Sequence, residues 1–200
     1  FTILDFKQVT NLFADPDFHP DELKIYPCSL IESAELMQYF QQQKWQPYDY
    51  QELLEVVTHT LAETPEYCRL TRVIRDIPST DIVEGNKKTN FRQLASQELS
   101  KQGKTGQDIR AREIRSAQFD LNAIEFVQTE YQTSVSQEKF LQVVVPVNSY
   151  RKLLAFLRLS LPNSDSFIDE LRGPAMIREV HIYSPAQNLG KRDGGEAQHL

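Results

Sequence analysis

Residues 152–160, Lys-Leu-Leu-Ala-Phe-Leu-Arg-Leu-Ser, decide how the C-terminal half folds. Leu153, Ala155, Leu157 and Leu159 recur at a spacing of two, and on an extended chain side chains two apart share a face. The stretch reads as a strand with one apolar face. Around it, residues 124–131, 140–145 and 176–183 read as three more strands. Asn148-Ser149 and Pro162-Asn163-Ser164 supply turn chemistry between them. Successive strands with few helices predict a largely antiparallel α+β domain.

The chain before residue 116 has another rhythm. Phe6, Val9 and Phe13 lie at helical spacing, and Pro16 ends that pattern. Residues 23–27 read as a short strand and 35–42 as a helix. Asp49 with Glu52 three residues later forms a capping-box start, after which Leu53, Val57 and Leu61 line one face and Pro65 stops the helix. Residues 69–77 read as a strand and 79–90 as a long loop. Asn90 is expected to cap a helix whose inner face holds Phe91, Leu94 and Leu99, broken by Gly103 and Gly106. Residues 109–115 read as extended, which puts Arg110 and Arg112 on one strand face. Alternating strand and helix predicts parallel β/α units. The expected domains are 1–115, α/β, and 116–200, α+β.

Composition narrows the function classes. Hydrophobic residues are 40% and charged residues 25% of the chain, ordinary for a globular protein. No apolar run reaches the ~18 residues of a membrane span. No signal peptide is visible at the start, and a cytoplasmic location is expected. Two cysteines, Cys28 and Cys68, argue against a disulfide framework. The formal charge of -6 hides a pattern: residues 69–115 carry 11 basic and 6 acidic side chains between acidic flanks. Arg72, Arg75, Lys87, Lys88, Arg92, Arg110, Arg112 and Arg115 are the candidate contacts to an RNA backbone, because arginine pairs bidentately with phosphate. The plain alternative is a solvated face with salt bridges to Asp76 and Glu113. Trp45, Tyr48 and Tyr50 could stack on bases, but near a helix start they read as packing residues.

Residues 176–183, Met-Ile-Arg-Glu-Val-His-Ile-Tyr, are the richest in chemistry. A period of two sets Glu179, His181 and Tyr183 on one face and Met176, Val180 and Ile182, with Arg178, on a packing face. An acid, an imidazole and a phenol in one row suit an active-site wall: His181 can move a proton, and Tyr183 can donate to an oxyanion or a leaving thiolate. An exposed polar face is the alternative. Cys28 follows Tyr26-Pro27 at a strand end, where barrel enzymes place ligand groups, and reads as a small buried thiol. His19 and His59 lack ligand-spaced partners, so no metal site is expected.

Four stretches carry a resemblance. Residues 15–27, Asp-Pro-Asp-Phe-His-Pro-Asp-Glu-Leu-Lys-Ile-Tyr-Pro, resemble the end of the radical-SAM barrel in the catalytic subunit of the Elongator family. Residues 72–78, Arg-Val-Ile-Arg-Asp-Ile-Pro, and 109–114, Ile-Arg-Ala-Arg-Glu-Ile, resemble two further stretches of that family in the same order. Residues 177–183 resemble the strand entering its acetyl-CoA site. The resemblance implies the last part of a radical-SAM-type (β/α) barrel followed by the first strands of a GNAT-type acetyltransferase domain. It implies an enzyme that modifies the wobble uridine of tRNA with acetyl-CoA, S-adenosylmethionine and a [4Fe–4S] cluster. The implied partners are tRNA and either a second copy or other Elongator-type subunits. Tyr26 and Gln198 are the implied cofactor-binding residues.

Departures from the family pattern are equally specific. The family's cluster-holding cysteine triad is absent from this chain. Where many relatives carry a zinc-type Cys-x-Cys-x-x-Cys, the chain has Gly106, Asp108 and Ala111, so no structural zinc is expected. Gln198-His199-Leu200 would open the pyrophosphate loop, and Ser184 stands where relatives have Gly. The first residue is Phe1 rather than Met, as expected of a piece of a longer protein whose active site is incomplete here. Two alternatives remain: an RNA-binding module without catalysis, resting on the cationic block, and an unrelated GNAT enzyme, which leaves the first 115 residues unexplained.

Overall fold

A computed structural model describes residues 2–148, 150–164, 166 and 168–183, with side chains from Asp5 onward. The chain divides into two compact units. One comprises Phe1–Ala14 and Pro20–Asp108; the other comprises Asp15–His19 and the chain from Ile109.

The first unit contains α1 (Thr2–Ala14), β1 (Glu22–Ile25), β2 (Leu30–Ile31), α2 (Leu36–Gln41), α3 (Tyr50–Glu63), β3 (Arg69–Val73), β4 (Ile82–Glu84) and α4 (Phe91–Lys101). Helix α3 starts where the sequence places it. The Asp49 carboxylate accepts from the Glu52 N–H at 2.8 Å, and Glu52 Oε2 accepts from the Asp49 N–H at 3.0 Å. It crosses between β1 and β3, which pair in parallel as the alternation predicts. Leu53, Leu54, Val57 and Leu61 of α3 pack with Leu70, Val73, Phe91, Ala95 and Leu99, and Leu23 and Ile25 of β1 close the cluster.

Three local expectations fail here, each for a visible reason. Strand β3 stops at Val73 because Ile74 takes φ 90, a conformation that a β-branched residue rarely adopts; its N–H still reaches the Ile25 carbonyl at 2.8 Å. The loop over 79–90 holds strand β4, which buries Ile82 and pairs antiparallel with β2. Beside that pairing Gly85 takes φ +115, and a Cβ there would meet the Ser29 backbone at 3.2 Å, so the close approach needs glycine. Asn90 precedes α4 but makes no side-chain cap.

Asp108 closes the unit. It is wholly buried, and both carboxylate oxygens accept from Arg92 at 2.9 Å. The same guanidinium donates to the Leu70 carbonyl. This fork ties α4 to β3 and to the end of the unit.

In the second unit, residues 109–112 form a helical turn, α5 (Ile109–Arg112), rather than extended chain. A turn places Ile109 and Arg112 on the same side, and both are buried; strand geometry would separate them. Arg110 and Arg112 therefore do not share a face. A short 3₁₀ turn, Leu121–Ala123, leads into β5 (Glu125–Gln132), β6 (Ser136–Val147), β7 (Tyr150–Pro162) and β8 (Met176–Ile182). These form a four-stranded antiparallel sheet in the order β5-β6-β7-β8. The contact division falls at Asp108/Ile109, whereas the change of sequence rhythm falls near 116, because α5 packs on β7 and, just after it, Ile114 N–H donates to Leu153 O at 3.1 Å.

Two register shifts rearrange the faces. Val143 pairs Ala155 and Val144 pairs Leu153, leaving Leu154 as the extra residue. Leu153 is thereby turned away from the face of Ala155, Leu157 and Leu159. On β8, Ile177 pairs Leu159 and Glu179 pairs Arg158, leaving Arg178 as the extra residue. Met176 and Arg178 thus join Glu179 rather than Val180. The expected packing face is also reversed: Ile177, Val180 and Ile182 are 60%, 59% and 38% exposed, while Arg158 and Glu138 on the other face are buried.

The Arg92–Asp108 fork generates a stability prediction. Removing one partner strands a buried charge, so Arg92→Met should cost about 3–5 kcal/mol in chemical denaturation. The double variant Arg92→Met/Asp108→Leu should recover most of that loss. A single variant as stable as the parent would show that the fork is dispensable.

Candidate functional site

The polar row of β8 sits against the middle of the sheet. Glu179 Oε2 accepts from Arg158 Nε at 2.8 Å across the β7–β8 pair. Two residues on, His181 pairs with Phe156, and the rings stack at 5.7 Å with planes 9° apart. Tyr183 follows on the same face, its ring 4.4 Å from that of His181 and 6.2 Å from that of Phe156. Its N–H donates to the Leu154 carbonyl at 2.7 Å, which continues the register of the β7–β8 pair. The structure therefore brings all three expected residues to one wall.

Beside the row, on the same face of the sheet, lies a polar network that the sequence reading missed. Buried Glu138 accepts from Ser136 Oγ and Ser160 Oγ, both at 2.6 Å, and from Arg178 Nε and Nη2 at 3.0 and 2.7 Å. Arg158 lies over the Phe140 and Phe156 rings at 5.1 and 5.2 Å. Arg112 donates to Gln142 at 2.7 Å, and Gln142 donates to Thr129. Glu138, Gln142, Arg158 and Ser160 alternate along β6 and β7 among apolar residues. That alternation of polar with apolar along both strands is the sequence signal for the network.

The first unit holds a cavity of about 600 Å³ at the end of β1. Tyr26, Cys28, Trp45, Tyr48, Asp5 and Asn86 are among its lining residues. Cys28 is exposed rather than the buried thiol the sequence suggested, while Cys68 is buried. Two cysteines so placed cannot supply the thiolate set of a four-iron cluster, and among the described residues no group of three His, Cys, Asp or Glu could hold a metal ion. Gln198 lies outside the described residues. No helix among the described residues is long and apolar enough to cross a membrane.

The eight cations separate into two kinds. Arg92 and Arg112 are turned inward, onto Asp108 and Gln142. Lys87, Lys88, Arg72 and Arg75 are exposed on the first unit, and Arg115 on the second; Arg110 is half-buried. Arg72 is paired with Asp76 at 2.9 Å, and Lys88 Nζ lies 4.0 Å over the Tyr50 ring. Arg75, Lys87 and Lys88 border one small surface depression with Asn86 and Thr89. Near Arg115 and Arg112, burial and the two positive charges lower the Lys152 pKa.

Tyr48 gives the cavity a titration signature. Burial, then the hydrogen bond to Asp5, then the charges of Asp5 and Glu52 push its hydroxyl up to about 12. The folded state favours the neutral phenol, so its stabilising effect is complete below the ordinary value of 10.0 and fades as pH rises through about 12. Ultraviolet titration of the parent against Tyr48→Phe should isolate one tyrosine with a midpoint near 12. A midpoint at the ordinary value would contradict the Asp5 contact.

Residues 20–101 match the family model described as the Radical_SAM C-terminal domain, so the first unit has a radical-SAM-type fold. The tRNA uridine(34) acetyltransferase of Methanocaldococcus jannaschii is 33% identical over 195 residues, which are 94% of this chain and 36% of that protein. Elongator complex protein 3 of Homo sapiens is 30% identical over 200 residues, 98% of this chain and 36% of that protein. The solved archaeal Methanocaldococcus infernus Elp3 with an N-terminal deletion superposes with a TM-score of 0.86 at 33% identity, covering 100% of this chain and 48% of that one. The chain spans about a third of the length of the curated relatives it matches. The chain is similar, along nearly its whole length, to one stretch of proteins named tRNA uridine(34) acetyltransferase and Elongator complex protein 3.

Proposed function

We propose that this chain is the part of a tRNA wobble-uridine acyltransferase in which a radical-SAM barrel gives way to a GNAT-type acetyltransferase domain. The observation that carries the reading is similarity along nearly the whole chain to proteins named for that activity, joined to the polar row on β8. On this reading residues 1–115 form the end of the barrel and its tRNA-facing segment, and residues 116–200 form the first strands of the acetyltransferase domain.

Each side chain then has a defined task. Acetyl-CoA supplies an activated acyl group beside the wall of β8. His181, supported flat on Phe156, is placed to move a proton. Tyr183 donates a hydrogen bond toward negative charge on the acyl oxygen or departing sulfur. Glu179, fixed by Arg158, shapes the wall. Gln198 would contact the CoA pyrophosphate. Tyr26 and the cavity beside it fit the planar base of S-adenosylmethionine, since an aromatic ring and apolar walls meet a few polar groups there. The cluster does not fit this chain's two cysteines.

Arg72, Arg75, Lys87, Lys88, Arg110 and Arg115 would track the tRNA backbone. Arg92 and Arg112 serve by holding the fold that presents them. A second copy or other Elongator-type subunits would complete the assembly.

The test is tRNA binding by the complete enzyme as salt is varied. Arg75→Ala, Lys87→Ala and Lys88→Ala should each weaken binding by about 1 kcal/mol with little change in sequence preference. Each should also flatten the slope of log K against log salt by about 0.7–0.9. The same change at Arg151 or Arg172, already paired with Glu125 and Asp169, should matter less. Unchanged affinity in the triple variant would remove this surface from the RNA site.

A further inference from the structure

We propose that Arg158 is a positioning residue for the acyl-transfer wall, acting through Glu179 and Phe156 rather than touching substrate. The proposal rests on the reading of β8 as that wall. Its basis is a block of two cross-strand pairs two residues apart on one face, Arg158 with Glu179 and Phe156 with His181. Arg158 belongs to the first pair and lies over the Phe156 ring of the second. Its Nε donates to Glu179 Oε2 at 2.8 Å, and its guanidinium carbon lies 5.2 Å from the centre of the Phe156 ring that supports His181. It also lies 5.1 Å from the Phe140 ring on the strand behind.

Exposure separates the roles. The Arg158 side chain is 3% exposed, and that of Glu179 is 40% exposed. Arg158 is therefore buried beside Glu179 on the same face of the sheet, while Glu179 on the edge strand stays partly exposed. A buried guanidinium needs its charge and donors satisfied. Here two aromatic faces and a carboxylate do so, and the arrangement fixes all three at once. A planar fork on a ring is pre-organised in a way that a lysine cannot reproduce. The strand supplies a second anchor, because Arg178, the extra residue of the β8 bulge, reaches buried Glu138. Register and side-chain pose are thus set by two arginines on different strands, and only Arg158 touches the support of His181.

The experiment uses acetyl-CoA turnover by the complete enzyme, read as kcat and KM separately, for Arg158→Met, Arg158→Lys, the double variant Arg158→Met/Glu179→Met, and His181→Gln. A positioning role predicts that Arg158→Met lowers kcat by about tenfold or more while KM for acetyl-CoA stays within about twofold, as for a contact that matters mainly in the transition state. Arg158→Lys, which keeps the charge and loses the fork, should recover part of kcat. The double variant should stay impaired, since removing the carboxylate does not restore the support of His181. If Arg158→Met does not fold, the Lys variant carries the same kcat-against-KM comparison. Recovery in the double variant would overturn the proposal, reducing Arg158 to a counter-charge. An unchanged kcat in folded Arg158→Met or Arg158→Lys would overturn it too, while leaving the wall intact if His181→Gln is impaired. Full turnover in His181→Gln would overturn the reading of the wall itself and the proposal with it.

Discussion

Charges buried on one face of a β-sheet must be paired, and much of the second unit follows from meeting that requirement. Glu138 and Arg158 are both buried. Left alone, either would cost several kcal/mol. Glu138 is met by two serine hydroxyls and Arg178, Arg158 by Glu179 and two aromatic faces. Since Arg178 and Glu179 are consecutive, one strand must supply both partners to one face. Regular alternation forbids that, and the extra residue in β8 is how the chain resolves it. The same bulge turns Met176 inward and Ile177 outward.

This explains why periodicity alone misplaced the apolar face of β8. Reading residues 176–183 by a strict period of two assumes that the hydrophobic side is covered and the polar side open. Here long-range pairing overrides the local pattern: the partners of Arg178 and Arg158 lie 40 and 21 residues away in the chain. The existence of all four strands was legible, because each is long and rich in alternating apolar residues. The row Glu179, His181 and Tyr183 was legible too, because no bulge interrupts it. Arg158, Phe156 and Glu138 were not singled out, since their importance lies in what they face across the sheet.

The first unit shows the complementary case. Asp49 with Glu52 is a local signal, needing no distant partner, and it sets the start of α3 as expected. Residues 109–115 carried a local pattern compatible with a strand, yet burial of Ile109 and Arg112 on one side selects a helical turn. The cationic block was visible by counting, whereas its division into inward and outward members was not. Arg92 is drawn inward by Asp108, which occupies a position where the resemblance leads one to expect a thiolate. Family likeness thus locates the segment, and the contacts in this structure decide which of its charges can meet a polyanion.

On the proposed reading, the polar face of β8 is the wall against which the acyl donor lies. Hydrogen–deuterium exchange of the complete enzyme, with and without saturating acetyl-CoA, tests it most directly. Slower exchange is expected across residues 177–183 on binding, because a donor laid along that strand shields its backbone and restrains its opening. Unchanged exchange there in an enzyme saturated with acetyl-CoA would contradict it and place the acyl donor elsewhere.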